Sequence, residues 1–487
     1  MSGLELLGLI MLIVMIGAIF IGVPISFTLL FLALAFGYAG LGPSVFDLAY
    51  FQTLGMMKEE LLAAVPLFIF MGFITEQAGL MERLFAAFRL LLAPVRGALF
   101  LVVILTATVF AMATGIVGAA VTVLGIMAAP IMIKTGYDAK LAAGTITAGG
   151  TLGILIPPSV MLIVMGPVLG VSVADLYAAA FGPGFLLAGI YVVYLMIRCF
   201  INPKLGPPVP KEERVHGVPR ILKEVAIGIV PLGLLIAATL GTILAGLATP
   251  TEASAMGALG ALILALVYGR FTIAGLKQAL LSTMATSSMV LLLAVTSNVF
   301  GAVFARMGTA NWITDSMLAL PLPAIAMLIA VLALIFLLGW PFEWPAIVLV
   351  FLPIFYPVVA ALKFDMVWFG ALVAVVLQTA FLSPPVAMSA YYLKQVVKDW
   401  SLATIYRGMF QFMMLQVLAI ALVVVFPSIA TWFPQYLQEN ARVESNEQIE
   451  DKVRLQDYGD DAYSKQLEEA GKKHEQEEGV DKPAQPK

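Results

Sequence analysis

Cysteine occurs once in the 487 residues, at Cys199, and histidine twice, at His216 and His474. A disulfide framework needs pairs, and a Cys/His metal centre needs several ligands at short spacing, so both are excluded. Charge is also scarce. Asp, Glu, Lys and Arg make up 12% of the chain, against about 25% in a soluble domain. No GxxxxGK[ST] phosphate loop, GxSxG elbow or HExxH zinc motif is present. With no nucleophile–base pair inside an apolar segment either, an enzyme is not expected, and nothing points to nucleic acid as a partner. What the chain has is hydrophobicity: 61% apolar residues and a mean hydropathy of +1.00. That composition and length imply a polytopic protein whose partner is the lipid bilayer.

The net charge of −3 hides an asymmetry. Residues 437–487 hold 14 of the 30 acidic and 8 of the 27 basic residues, leaving a slightly basic body and an acidic tail. The end of the tail has too little apolar surface to fold alone, and 442–457 is expected to form at most a short polar helix. The first apolar run lacks a basic leader and an A-x-A site, so it reads as a retained span.

Full-length spans of about 20 apolar residues are expected at 4–22, 24–41, 61–79, 175–199, 221–245, 250–268, 286–304 and 403–427. Residues 80–93 and 305–319 carry charges at helical spacing and read as amphipathic connectors or protruding helix ends. Two stretches are not simple spans. Residues 97–133, interrupted at Ala113-Thr-Gly115, and 323–359, interrupted at Gly339-Trp-Pro-Phe-Glu-Trp-Pro345, each read as a re-entrant hairpin. Each is followed by an apolar stretch cut by a double proline, Pro157-Pro158 and Pro384-Pro385. Proline removes a donor and clashes with the preceding turn, so each stretch is a broken helix.

The two regions superpose with one offset. Adding 227 carries Pro94 onto Pro321, Pro130 onto Pro357, Asp138 onto Asp365, and Pro157-Pro158 onto Pro384-Pro385. Five expected crossings separate the hairpins, an odd number, so the repeats are inverted. Paired interrupted helices in an inverted repeat are the sequence mark of a secondary transporter. Lys204, Lys211, Arg214, Arg220 and Lys223 place the 200–223 linker in the cytoplasm by the positive-inside rule. The expected fold is all-α, with elevator-type scaffold and transport parts. Its divisions are 1–93 (scaffold and first arm), 94–174 (transport half 1), 175–320 (scaffold, linker, second arm), 321–398 (transport half 2), 399–436 (last span) and 437–487 (tail).

Unwound backbone at membrane depth frees carbonyls, the cheapest cation ligands in an apolar bundle. Candidates for a sodium ion are Thr114, Gly115, Gly118, Thr151, Gly153, Ile156, Pro158 and Ser159 around the first break, and Gly339, Glu343, Thr379, Ser383 and Pro385 around the second. Glu343 is a carboxylate in an apolar setting between Trp340 and Trp344, which marks a functional candidate; Ser159, Gln378 and Arg96 join it as candidate substrate contacts. Glu252, in Thr249-Pro-Thr-Glu252, reads instead as a first-turn carboxylate beside a threonine cap.

Several stretches together resemble the large membrane subunit of tripartite ATP-independent periplasmic (TRAP) transporters. They are Ala64-Val-Pro-Leu-Phe-Ile-Phe-Met-Gly72, Gly136-Tyr-Asp138, Gly153-Ile-Leu-Ile-Pro-Pro-Ser159, Thr249-Pro-Thr-Glu252 and the second tip with its Pro-Pro-Val. The likeness covers the chain to about residue 430. It implies a sodium-coupled importer in the bacterial inner membrane. A periplasmic substrate-binding protein would deliver a small organic acid, such as a 2-oxo or hydroxy acid, and a small four-helix membrane subunit would brace the scaffold. Sodium would sit at the hairpin tips beside the broken helices. The family usually has Ser-Gly-Ser where Thr114-Gly115-Ile116 stands, Asp at Glu343, and Asn near Gln378. A stand-alone symporter of the same superfamily, or a non-transporting scaffold or channel, are the alternatives.

Overall fold

The computed structural model describes residues 2–208, 218–384 and 387–440, which fall into two units divided between Phe433 and Pro434. In the second unit, residues 434–440 are helical. The rest of the acidic tail, the expected 442–457 helix, both histidines, Lys211, Arg214 and Pro385 lie outside the described residues.

Among the described residues, secondary structure is all helical. Nine helices are long and apolar enough to cross a membrane, ten if one bent pair counts as a span. In chain order the helices are α1 (Gly3–Phe20), α2 (Ile25–Leu41), α3 (Ser44–Met57), α4 (Ala64–Gln77), α5 (Leu80–Leu92), α6 (Ala98–Thr114), α7 (Val117–Lys134), α8 (Ala139–Leu155), α9 (Val160–Leu169) and α10 (Val173–Ile201). There follow α11 (Leu222–Leu244), α12 (Pro250–Val267), α13 (Ile273–Arg306), α14 (Thr309–Leu318), α15 (Ala324–Leu338), α16 (Trp344–Ala361), α17 (Met366–Leu382), α18 (Met388–Val396) and α19 (Leu402–Val425).

Two differences from the expected spans have physical causes. The span expected at 286–304 is the last part of a 34-residue helix, because Thr272 caps it and nothing between Ile273 and Arg306 breaks it. Its polar residues had masked the start; Thr283 and Ser287 are buried, and the Ser287 hydroxyl returns to the Thr283 carbonyl. The helix Ser44–Met57 was not expected at all. Its sequence mixes polar and apolar residues without a clear face, and Val45 is its one buried residue.

The offset of 227 holds at atomic detail. Helix α8 maps onto α17 end to end, and α7 onto α16. Asp138 and Asp365 cap the equivalent helices: Asp138 Oδ1 accepts from Leu141 N at 2.8 Å, and Asp365 Oδ1 from Val367 N at 2.7 Å and Trp368 N at 3.0 Å. Pro130 and Pro357 both lie within helices. Gly136 and Lys363, also 227 apart, both take positive φ, 75° and 58°.

The halves interlock crosswise. Helix α18 of the second half packs on α7 of the first, and α9 of the first packs on α16 of the second. Small residues set these distances. At the α8–α19 crossing, a Cβ on Gly408 would stand 2.1 Å from the Lys140 carbonyl oxygen, so the backbones touch.

Hairpin 1 (α6–α7) is anchored at its base to the linker. Gly97 N–H donates to Gly206 O at 2.9 Å, and Asp138 N–H to Leu205 O at 3.0 Å. Its base therefore shares the linker's side of the bilayer, and hairpin 2 (α15–α16), five crossings on, opens from the opposite side.

Candidate functional site

The site grows out of the double prolines. In α8, the Gly153 carbonyl would accept from the N–H of residue 157 and the Ile154 carbonyl from that of residue 158. Both donors are missing because both residues are proline. Helix α8 ends at Leu155, Ile156 is extended, and α9 restarts at Val160 after a 45° bend. The Ser159 hydroxyl takes over one orphan, donating to Ile154 O at 2.5 Å. The Gly153 oxygen has no such substitute.

The tip of hairpin 1 comes to that orphan. Helix α6 ends at Thr114, Gly115 turns the chain with φ 61°, and α7 begins at Val117. A Cβ on Gly115 would lie 3.4 Å from the Pro158 oxygen and 3.8 Å from the Gly153 oxygen. Any side chain here would fill the space these carbonyls face, so glycine is needed both for its φ and for its size. Helix α4 closes the other side: a Cβ on Gly72 would meet the Thr114 oxygen at 2.7 Å. A desolvated carbonyl without its helical donor, as at Gly153, suits a cation such as sodium. Gly115, Gly153 and Pro158 are thus brought together. Ile156 lies at the break but is buried against Gly184 of α10. The Thr114 hydroxyl, a candidate ligand, is directed into its own helix, donating to Phe110 O at 3.1 Å.

The second half repeats the arrangement with different chemistry. Pro384 leaves the Ala380 carbonyl without its helical donor. Gly339 packs on Ala380, where an added Cβ would approach the Ala380 Cβ to 2.9 Å. Gly339, Phe342, Glu343, Ala380, Phe381 and Met388 line a small, partly open pocket. Under the offset, Glu343 replaces Ile116 and Ser383 replaces Ile156, so two apolar positions of the first site become a carboxylate and a hydroxyl. Three buried polar atoms here have no hydrogen-bond partner: Gln378 Nε2, Ser383 Oγ and Ser389 Oγ. Their first-half counterparts, Thr151, Ile156 and Leu162, leave no such atom among the described residues. The Thr379 hydroxyl donates to Val376 O at 2.6 Å.

Thr151 and Gln378 tie the halves together. They are related by the offset, and Thr151 Oγ1 donates to Gln378 Oε1 at 2.9 Å. A residue and its own repeat image can touch only on the pseudo-two-fold axis, so this pair marks it. Arg96 is not brought to the site. It lies at the base of hairpin 1, separated from the tip by the whole of α6, ~25 Å at 1.5 Å per residue. Glu252 is accounted for structurally: Thr249 and Glu252 form a reciprocal capping box at the start of α12. Sequence reading did not single out Gly72 or Ser389 as site residues. Gly72 carried a signal, because it ends the Ala64–Gly72 stretch, but a glycine's neighbours are not readable from its own sequence.

The family model described as "Tripartite ATP-independent periplasmic transporter, DctM component" matches residues 10–429. The sialic acid TRAP transporter large permease protein SiaM of Vibrio cholerae is 31% identical over 422 residues, 86% of this chain and 96% of that protein. The C4-dicarboxylate TRAP transporter large permease protein DctM of Rhodobacter capsulatus is 29% identical over 413 residues, covering 82% and 91%. The isethionate TRAP transporter permease protein DctMQ of Oleidesulfovibrio alaskensis is 27% identical over 336 residues, covering 68% of this chain and 51% of that one. Among solved structures, the YdaH transporter of Alcanivorax borkumensis, described as having an unusual topology, is similar in fold. Its TM-score is 0.56 at 17% identity, covering 79% of this chain and 87% of that one.

Proposed function

Because this chain belongs to the DctM component family of tripartite ATP-independent periplasmic transporters, we propose that it is the large permease subunit of a sodium-coupled importer of a small organic acid in the bacterial inner membrane. A periplasmic binding protein hands over the acid, and a small membrane subunit braces the scaffold. The family's tripartite description supports both partners.

The observation that carries the reading is the meeting of each hairpin tip with the double-proline break of its own half. At the first, the Gly153 carbonyl, stripped of its donor by Pro157, lies beside a glycine turn together with the Pro158 carbonyl. A sodium ion there supplies what the missing N–H groups cannot, at a depth where water is excluded. The second, with Glu343, Ser383 and the unpaired Gln378 Nε2, offers side-chain groups suited to a second cation and to the acid. Sodium is the coupling ion; candidate ligands are the oxygens of Thr114, Gly115, Gly153, Ile156 and Pro158, and those of Gly339, Thr379, Ser383 and Pro385. Residues 94–174 and 321–398 move as the transport part against the scaffold, elevator fashion.

The test is uptake into proteoliposomes holding this chain and its small subunit, with binding protein outside and an inward sodium gradient. Saturable uptake of C4-dicarboxylates, 2-oxo acids or sialic acid is expected, lost when potassium replaces sodium on both sides. Equal uptake without sodium overturns the coupling. Glu343→Gln is expected to lower the rate at least about tenfold in a protein that still purifies as a monodisperse species. A wild-type rate returns Glu343 to a structural role.

A further inference from the structure

Helix α5 lies on the linker's side of the bilayer, between the end of α4 and the base of hairpin 1. It buries Leu80, Met81, Leu84, Phe85 and Phe88 on one face and packs along α11, whose first turns follow the linker. Gly228 lets the two backbones close up: a Cβ there would stand 2.9 Å from the Arg83 carbonyl oxygen. The end of α12 completes the corner, since the Tyr268 hydroxyl donates to Ile227 O at 2.8 Å. Three helices thus meet around one exposed side chain. The Arg83 guanidinium lies over the Tyr268 ring, 4.3 Å from its centroid.

Among the described residues that guanidinium has no ion pair and no hydrogen bond. A ring covers the flat face of a guanidinium but leaves the N–H groups at its rim free for an anion. Glu82, the next residue, turns its carboxylate back toward Gly79, where it lies 3.5 Å from an added Cβ. Two further exposed cations converge on the corner. Lys223 stands one turn before Ile227 on the same face of α11, and Arg270 two residues beyond Tyr268. Glu224 is set about 100° around α11 from Lys223. The adjoining surface is apolar: Val267 and Ile273 are 74% and 82% exposed.

The corner exists once. In the second arm, α14, the offset replaces Arg83 by Ala310 and Arg89 by Ser316, and at the end of α2 it replaces Tyr268 by Leu41. Asp315 is the one charged residue of that arm. A fixed guanidinium with flanking cations, next to exposed apolar surface and on the linker's side alone, matches a lipid with a negative headgroup.

We propose that the corner of α5, α11 and α12 binds the headgroup phosphate of an anionic phospholipid. Arg83 is its fixed donor, Lys223 and Arg270 are flanking charges, and the acyl chains lie against the exposed apolar residues. Bound there, the headgroup ties the arm to α11 and α12. The inference needs a membrane-spanning chain and no particular cargo.

Native mass spectrometry tests it, on the full chain with its small membrane subunit, in detergent holding equal amounts of phosphatidylglycerol and phosphatidylcholine. The wild type is expected to retain phosphatidylglycerol about tenfold or more in preference. Arg83→Gln is expected to weaken phosphatidylglycerol binding about fivefold or more. Arg83→Lys keeps the charge but loses the planar fork, and is expected to restore about half of that loss or less. Lys134→Gln removes an exposed cation at the base of hairpin 1 and is expected to change nothing. Excess inorganic phosphate is not expected to displace the lipid, because the chains hold it as well. Equal retention of the two lipids overturns the proposal, as does wild-type binding by Arg83→Gln. Wild-type binding by Arg83→Lys, or equal losses in Arg83→Gln and Lys134→Gln, overturns it in favour of general charge attraction. Displacement by phosphate makes the corner a free-anion site, and a preference seen only without the small subunit makes it a subunit contact; either overturns the lipid assignment. No uptake is measured, so the result stands apart from the transport reading.

Discussion

Gly136 and Lys363 hold equivalent places, each two residues before the aspartate that caps the next helix, and each with positive φ. Glycine adopts that conformation freely, whereas a residue with a Cβ is strained by roughly 1–2 kcal/mol. Nothing lies within 4 Å of a Cβ added at Gly136, so the conformation alone decides the effect there. Gly136→Ala is expected to destabilise by about 1 kcal/mol and Lys363→Gly to stabilise by a similar amount. Thermal unfolding in detergent checks both: a lower transition for the first, a higher one for the second. Thr249 with Glu252 was legible in the sequence because a cap is a local device, whereas Asp138 and Asp365 were read only as matching repeat positions. Thr151 and Gln378 were not legible as a pair. Their bond spans 227 residues, and only folding brings a residue to its repeat image.

Among the elements, helix interruptions could be read and helix contacts could not. A double proline ends a helix whatever surrounds it, and both breaks stand where the sequence placed them, α8 ending at Leu155 and α17 at Leu382. The 34-residue α13 begins earlier than the expected 286–304 span, because Lys277, Gln278 and Ser282 lower the hydropathy of its first turns without breaking the helix. Contacts between helices hinge on glycines. At the α8–α19 crossing, Gly408 has no room for a methyl group: the Lys140 oxygen would be 2.1 Å from it and the Gly144 nitrogen 2.9 Å. Gly408→Ala is expected to destabilise by about 1–3 kcal/mol, as overpacking does. Exposed Gly189, with open space around its Cβ position, is the control, expected to tolerate alanine. The yield and melting temperature of the two purified variants distinguish them.

At the scale of the whole molecule, inversion makes a prediction that does not depend on what is transported. Lys134 and Lys363 are both exposed and lie at the bases of hairpins 1 and 2. Hairpin 1 is tied to the linker that carries Lys204, so the two bases belong on opposite sides. The single native cysteine, Cys199, is buried and can be replaced. In a Cys199→Ala background, an impermeant thiol reagent is expected to label Lys134→Cys only from the cytoplasmic side and Lys363→Cys only from the outside. Labelling of both from one side rules out the inverted arrangement.

The sequence by itself determined that this chain is a helical membrane protein, that it is built twice over, and where its four interruptions fall. Those features follow from hydropathy, proline and glycine, which act through the nearest few residues. Only the tertiary structure decided that each tip meets the break of its own half while the helices pack across halves. It also decided that the orphaned Gly153 carbonyl faces Gly115, and that the unpaired polar side chains around the breaks gather in the second half. Such contacts depend on distances between helices hundreds of residues apart, which small residues set to tenths of an ångström and no local pattern records.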